Sequence, residues 1–188
     1  MQAGETLLVH AAAGGVGSAA VQLGKAAGAR VVGVVGGPDK ADVAQALGAD
    51  AVVDRRSEEF VAVVKEVTDG RGADVVYDPV GGEAYQRSTK CIAFEGRILV
   101  VGFAGGDIQS AALNHALVKN HSTVGLHWGL YNQDDPAAVR KCHDELSKLA
   151  ADGLATPLVS ERLDLGGVAA GLQRLANGTT VGRVAYVP

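Results

Sequence analysis

The chain has 188 residues, 47% of them hydrophobic and 20% charged, with a formal net charge of −4. That is enough for one domain with a full core. The mild acidity, without any basic stripe or basic–aromatic interleaving, excludes a nucleic-acid-binding face. The longest low-charge stretch, residues 6–24, is broken by His10 and several glycines. It reads as a buried strand plus a helix, not as a membrane span. The opening Met1-Gln2-Ala3-Gly4-Glu5 has neither the basic start nor the apolar core of a signal peptide. Cys91 and Cys142 lie far apart, with no partners at metal-ligand spacing. They are expected to be free thiols in a reducing cytoplasm, with no metal site.

In chain order, the β-rich run Thr6-Leu7-Leu8-Val9-His10 predicts a first strand. The glycine turn around Gly14, Gly15, Val16 and Gly17 follows. A helix over residues 16–27 comes next, with Val16, Ala19, Ala20, Leu23 and Ala27 at helical spacing. This order sets a helix N-terminus over the end of a buried strand. Its free N–H groups and dipole suit a phosphate there. Gly14 permits a tight turn and Gly17 a close helix–strand contact, so the pattern predicts dinucleotide binding. A tight turn serving another ligand is the alternative.

Further strands are predicted at residues 30–35, 51–53, 73–77, 97–101 and 123–127, and helices at 38–47, 57–67, 83–94 and 113–119. Pro38 and the Ser57-Glu58-Glu59 run mark helix starts. Gly28, Gly48, Gly70 and Gly153 follow helical runs as stops. Several strands contain Val-Val or Leu-Val runs without polar alternation, as expected where both sheet faces are covered. The alternation predicts an α/β fold with a doubly wound parallel sheet of six strands. After His127 the pattern changes to a long amphipathic helix from Asp134-Asp135-Pro136 to about residue 151. An extended piece at 157–163, a helix at 165–176 and a last strand at 183–187 follow, as an appended helix–strand tail.

The end of the second strand selects the cofactor. An Asp or Glu there would bond a ribose 2′-OH, but the chain has Gly36-Gly37-Pro38-Asp39-Lys40. With the acid replaced by Gly36, and with Lys40, Arg55 and Arg56 close by, NADP(H) is expected. The competing reading leaves these cations as solvated surface charges, with Asp39 on the ribose. Two later glycine turns, Asp78-Pro79-Val80-Gly81-Gly82 and Gly102-Phe103-Ala104-Gly105-Gly106, end the fourth and fifth strands, where such a sheet presents its ligand crevice.

Catalytic residues do not emerge. Tyr85 and Lys90 are five apart, the wrong spacing for a Tyr–Lys pair on one helix face. His10, His115, His121, His127 and His143 are scattered. His10 reads as a satisfied core residue. His127 and Trp128 can face a nicotinamide or simply pack at an edge strand.

The ordered segments HAAAGGVGSAAVQLGKAAGA, VVGVVGGPDK, VVYDPVGG, GRILVVGFAGG and LVKNHSTVGLHWG resemble the cofactor-binding Rossmann domain of the medium-chain dehydrogenase/reductase superfamily, in its zinc-independent quinone oxidoreductase branch. The resemblance implies NADPH-dependent hydride transfer to quinones, enones or related activated carbonyl compounds. It implies Gly14 to Gly17 at the pyrophosphate and Gly36, Gly37, Lys40 and Arg55 around the 2′-phosphate, although Arg55 stands where relatives often have Tyr. Val80 and Gly81 would lie on the adenosine side, and Gly102, Phe103 and Ala104 near the nicotinamide. It also implies a homodimer through the sixth strand, from Ser122 to His127.

Family members carry a GroES-like catalytic domain of about 120–140 residues before this region. The chain opens on the first strand, and Met1 resembles an introduced start. The expected division is therefore a dinucleotide-binding domain at 1–130 and a tail at 131–188 that would pack on the absent domain. Residues 158–163 and 183–187 resemble the return segment, with exposed edges. Two other readings stand beside the reductase: a dinucleotide-binding module without turnover, and an enoyl-thioester reductase module of a larger synthase.

Overall fold

A computed structural model describes all residues, 1–188. The first half alternates strand and helix without a break: β1 (Thr6–His10), α1 (Gly17–Ala26), β2 (Arg30–Val35), α2 (Pro38–Ala46), β3 (Ala51–Asp54), α3 (Phe60–Val67), β4 (Ala73–Asp78), α4 (Glu83–Ser88), β5 (Ile92–Val100), α5 (Leu113–Lys119) and β6 (Ser122–Gly125). The six strands form one sheet in the order β3-β2-β1-β4-β5-β6, and every neighbouring pair is parallel. The order reverses between β1 and β4, which defines a Rossmann-type, doubly wound α/β fold.

Side chains of one strand alternate between two cores. Leu7, Val9, Val31, Val35 and Val75 meet Val21 of α1 and Ala44 of α2 on one face. Leu8, Val32, Val34, Val53, Val76 and Ile98 meet Phe60 and Val64 of α3 and Tyr85 of α4 on the other. A strand buried on both sides needs apolar residues at consecutive positions, which explains the Leu-Leu-Val and Val-Val runs.

The tail comprises a 3-10 turn (Trp128–Leu130), α6 (Tyr131–Asp134), α7 (Pro136–Ala151), β7 (Val159–Leu163), a second 3-10 turn (Leu165–Gly167), α8 (Val168–Ala176) and β8 (Arg183–Tyr186). β7 and β8 form a separate parallel pair. The tail is tied to the sheet through Gly182, whose N–H donates to the Ala13 carbonyl at 2.7 Å.

Several boundaries differ from expectation. The helix expected at 83–94 ends at Ser88, and β5 starts at Ile92 instead of 97. Cys91 and Ile92 are drawn into the core, and Ala73 N–H donates to the Cys91 carbonyl at 2.8 Å. A register shift opposite Ala73 to Val75 then absorbs Glu95, which takes a left-handed φ of 57°, and leaves Phe94 68% exposed. α3 begins at Phe60 and not at 57, because Ser57 and Glu58 turn back onto the Asp54 carbonyl while Glu59 caps the helix by accepting from Val61 N–H. β6 ends at Gly125, so His127 and Trp128 lie in the following turn and not in the strand. The helix expected from 165 begins as a 3-10 turn and becomes α-helical at Val168.

Leu8 is wholly buried at the centre of the sheet. Leu8→Ala is expected to lower the unfolding free energy by about 2–5 kcal/mol in urea denaturation, whereas Leu165→Ala at the exposed second 3-10 turn changes it by less than about 0.5 kcal/mol.

Candidate functional site

The turn after β1 is held by a close approach of backbone to backbone. Ala11 adopts a left-handed φ of 52° and accepts the Gly14 N–H at 2.8 Å. A Cβ on Gly17 would collide with the Ala11 carbonyl and come within 2.9 Å of Ala12 Cα, so only glycine lets α1 start this near the strand. Val16 at the N-cap offers no side-chain cap, and the N–H groups of Val16 and Gly17 find no acceptor within the chain. A row of free donors at the positive end of a ten-residue helix fits an anion.

The tail supplies a wall for this turn. Gly182 pairs with Gly14, and the Arg183 side chain runs beside Gly15, its Cγ 3.0 Å from where a Gly15 Cβ would stand. Arg183 also faces Tyr77 of β4. Burial pushes the Tyr77 hydroxyl up, and the Arg183 charge pulls the other way. Nothing local in the sequence marks Arg183, because its placement depends on a pairing across most of the chain.

At the ends of β2 and β3 three cations converge. A Cβ on Gly36 would stand 3.3 Å from Arg55 Nε, and one on Gly37 3.1 Å from an Arg56 guanidinium nitrogen. Asp54 ties the two loops together, its Oδ1 accepting from Gly37 N–H at 2.9 Å and Arg56 N–H at 3.1 Å. Lys40 Nζ donates to the Gly178 carbonyl at 2.5 Å. Its ammonium is pushed down by burial and then by the Arg56 and Arg55 charges, as expected of like charges sharing one corner. Asp39 is exposed on α2.

The loops after β4 and β5 form one unit. Asp78 is wholly buried, and its Oδ1 accepts from Val80 and Gly81 N–H, both at 2.9 Å. Ala104 N–H donates to the Pro79 carbonyl at 3.0 Å and Gly105 N–H to the Val80 carbonyl at 2.9 Å. Gln109 Oε1 accepts from Gly82 N–H at 2.9 Å, a second residue that sequence reasoning missed. Val80, Gly81, Gly102, Phe103 and Ala104 are thereby brought together, with Phe103 partly exposed.

The sheet order arrays these groups along a single edge: the cations past β3 and β2, the open turn past β1, and the paired loops past β4 and β5. His127 follows β6, and Trp128 beside it stacks on Tyr131 with ring centroids 5.1 Å apart. His10 takes no part in this edge. Ser88 Oγ gives its proton to the Ala84 carbonyl, so His10 Nε2–H donates to Ser88 Oγ at 2.8 Å, and the ring packs edge-on against Phe60. No group of three or more His, Cys, Asp or Glu is placed to hold a metal ion, so these residues do not fit a zinc site. No helix is long and apolar enough to cross a membrane.

Fold and turn together define a Rossmann-type domain. Residues 15–145 match the family described as zinc-binding dehydrogenase, and the chain belongs to that family. It is 39% identical over 186 residues to quinone oxidoreductase-like protein 2 homolog of Nematostella vectensis, covering 98% of this chain and 51% of that protein. It is 34% identical over 156 residues to mycocerosic acid synthase-like polyketide synthase of Mycobacterium tuberculosis, covering 82% of this chain and 7% of that protein. The structure superposes on Escherichia coli quinone oxidoreductase complexed with NADPH with a TM-score of 0.89 at 30% identity, covering 100% of this chain and 58% of that one. The chain thus spans about half the length of the quinone oxidoreductase relatives it matches.

Burial pushes the His10 imidazole down to about 4, against the pull of Asp78 and with the push of Arg87. The folded value lies below the unfolded value of about 6.5. Stability is therefore complete above pH 6.5 and falls as pH drops from 6.5 toward 4, by up to about 1.4 kcal/mol per pH unit. Urea midpoints across that range are expected to show the decline, and His10→Asn to flatten it.

Proposed function

We propose that the chain is the NADPH-binding part of a quinone oxidoreductase-like reductase. The observation that carries this reading is the corner of Lys40, Arg55 and Arg56 around Gly36 and Gly37, where an NAD-preferring site would hold an acid. Gly14, Gly15, Val16 and Gly17 would take the pyrophosphate on free N–H groups, with Arg183 as a further cation beside them. Val80 and Gly81 would border the adenosine, and Gly102, Phe103 and Ala104 the nicotinamide. The bound cofactor supplies the hydride, and the chain's own residues bind and orient it. Quinones or enones are the acceptors in this reading. The similarity to a polyketide synthase favours one alternative, an enoyl-thioester reductase module. A module that binds dinucleotide without turnover is the other.

In the proposed division, residues 1–130 hold the dinucleotide and 131–188 meet the rest of a longer parent. The two-stranded β7–β8 sheet, with both outer edges unpaired, supports it. The proposed homodimer pairs two β6 strands edge to edge. β6 is exposed along its length, and Leu113, Leu117 and Val118 of α5 beside it are 77–81% exposed. The two unpaired cysteines agree with a reducing, cytoplasmic setting.

Titration of nicotinamide fluorescence is expected to show NADPH binding more tightly than NADH. Lys40→Ala should weaken NADPH about tenfold and leave NADH unchanged, the loss of one charge-assisted contact of about 1.5 kcal/mol. Equal affinity for both cofactors would sink the NADPH assignment. Absorbance at 340 nm with phenanthrenequinone then separates a reductase from a binding module. In sedimentation equilibrium the chain should run as a dimer and Val124→Lys as a monomer.

A further inference from the structure

The last helix and the last strand are joined by a strap that touches the cofactor edge at both ends. Past α8, Gly178 takes a left-handed φ of 65°, and its N–H donates to the Leu175 carbonyl at 3.0 Å. Thr179 N–H reaches back to the Arg174 carbonyl at 3.1 Å, which completes a Schellman stop. At the far end of the strap, Gly182 N–H donates to the Ala13 carbonyl in the glycine turn at 2.7 Å. At the near end, the Gly178 carbonyl accepts from Lys40 Nζ at 2.5 Å.

Lys40 needs such a partner. It pairs with no carboxylate, and Arg55 and Arg56 repel it. A flexible ammonium among like charges gains by swinging out to solvent. The end of the nine-residue helix α8 opposes that swing. Its last carbonyls carry the negative end of the helix dipole, and the Gly178 carbonyl takes one of the three ammonium donors. Two donors remain for an anion in the corner beside Gly36 and Gly37.

We infer that Gly178 is a positioning residue for Lys40, and that through it the tail sets the preference for a dinucleotide carrying a 2′-phosphate. The inference rests on the cofactor reading above, which puts that phosphate beside Lys40. The left-handed backbone at 178 is what aims the carbonyl. A Cβ on Gly178 would meet nothing within 4 Å, so a substitution there acts through backbone strain and not through collision.

The test titrates the whole chain with NADPH and with NADH, following nicotinamide fluorescence. Gly178→Val resists the left-handed backbone. It should weaken NADPH about threefold to tenfold and leave NADH within about 1.5-fold. Gly178→Asn, which tolerates that conformation, should keep NADPH within about twofold of the unmodified chain. In a Lys40→Ala background the carbonyl has nothing left to position, so adding Gly178→Val should change NADPH by less than about 1.5-fold. A strap that merely packs would give another pattern, because shifting it would also move Arg183 beside Gly15 and weaken both cofactors alike.

Unchanged NADPH binding in Gly178→Val, equal loss of NADPH and NADH, a loss in Gly178→Asn as large as in Gly178→Val, or a further loss in the Lys40→Ala background overturns the assignment. If circular dichroism shows Gly178→Val unfolded, Gly178→Ala is read by the same criteria. The two readings fail separately. Should Lys40→Ala weaken NADPH alone while Gly178→Val does not, the cofactor reading stands and the role of Gly178 falls. Should the unmodified chain bind NADPH and NADH equally, the cofactor reading falls and takes this inference with it.

Discussion

The contact on which the rest of the structure depends is the approach of Gly17 to the backbone of Ala11 and Ala12. A side chain there would drive α1 away from the end of β1. Because α1 starts so close, Ala11 must turn left-handed, and the N–H groups of Val16 and Gly17 are left pointing past the strand with no acceptor. The same proximity lets Val21 of α1 reach the core with Leu7, Val9 and Val31. One atom's absence therefore sets both the packing of the first helix and the open donors beside it.

The polar groups beneath that edge are arranged to stay out of its way. His10 and Asp78 continue the register in which Val9 pairs with Tyr77, so a buried imidazole and a buried carboxylate end neighbouring strands. The carboxylate spends one oxygen on the Val80–Gly81 turn, and the imidazole spends Nε2–H on Ser88. The other carboxylate oxygen of Asp78, Oδ2, is buried without a partner, a cost the surroundings must absorb. Both groups thus shape loops and helix starts and leave the exposed cations past β2 and β3 to set the charge of the edge.

Much of this was legible in the sequence, for a physical reason. β1, its glycine turn and α1 form a contiguous local unit, and two-sided burial writes itself as unbroken Val and Leu runs in β2, β3 and β4. The start of β5 was not legible. Cys91, Ile92 and Ala93 are apolar enough to continue a helix, and they become strand only because Ala73 pairs with Ile92 across the sheet. Gln109 and Arg183 escaped for the same reason, since each acts on a glycine turn far from it in sequence. Arg56 reads in the sequence with Arg55 as a cation near the end of the second strand, and it is the guanidinium set against Gly37. The glycines of the edge announced themselves, as did Arg55 and Arg56 close by; the side chains that reach those glycines from farther along the chain did not.

The pairing of Gly182 with Gly14 has a consequence in time as well as in space. On a ribosome, β1, α1 and β2 are made before the tail, and the glycine turn can form as soon as these three meet. Its second wall waits for residues 182 and 183, and at about 5–20 residues per second the intervening stretch takes on the order of ten seconds or more to synthesise. Through that interval the nascent turn is shaped but lacks the wall that Gly182 and Arg183 supply. The order of synthesis makes the cradle first and its cover last.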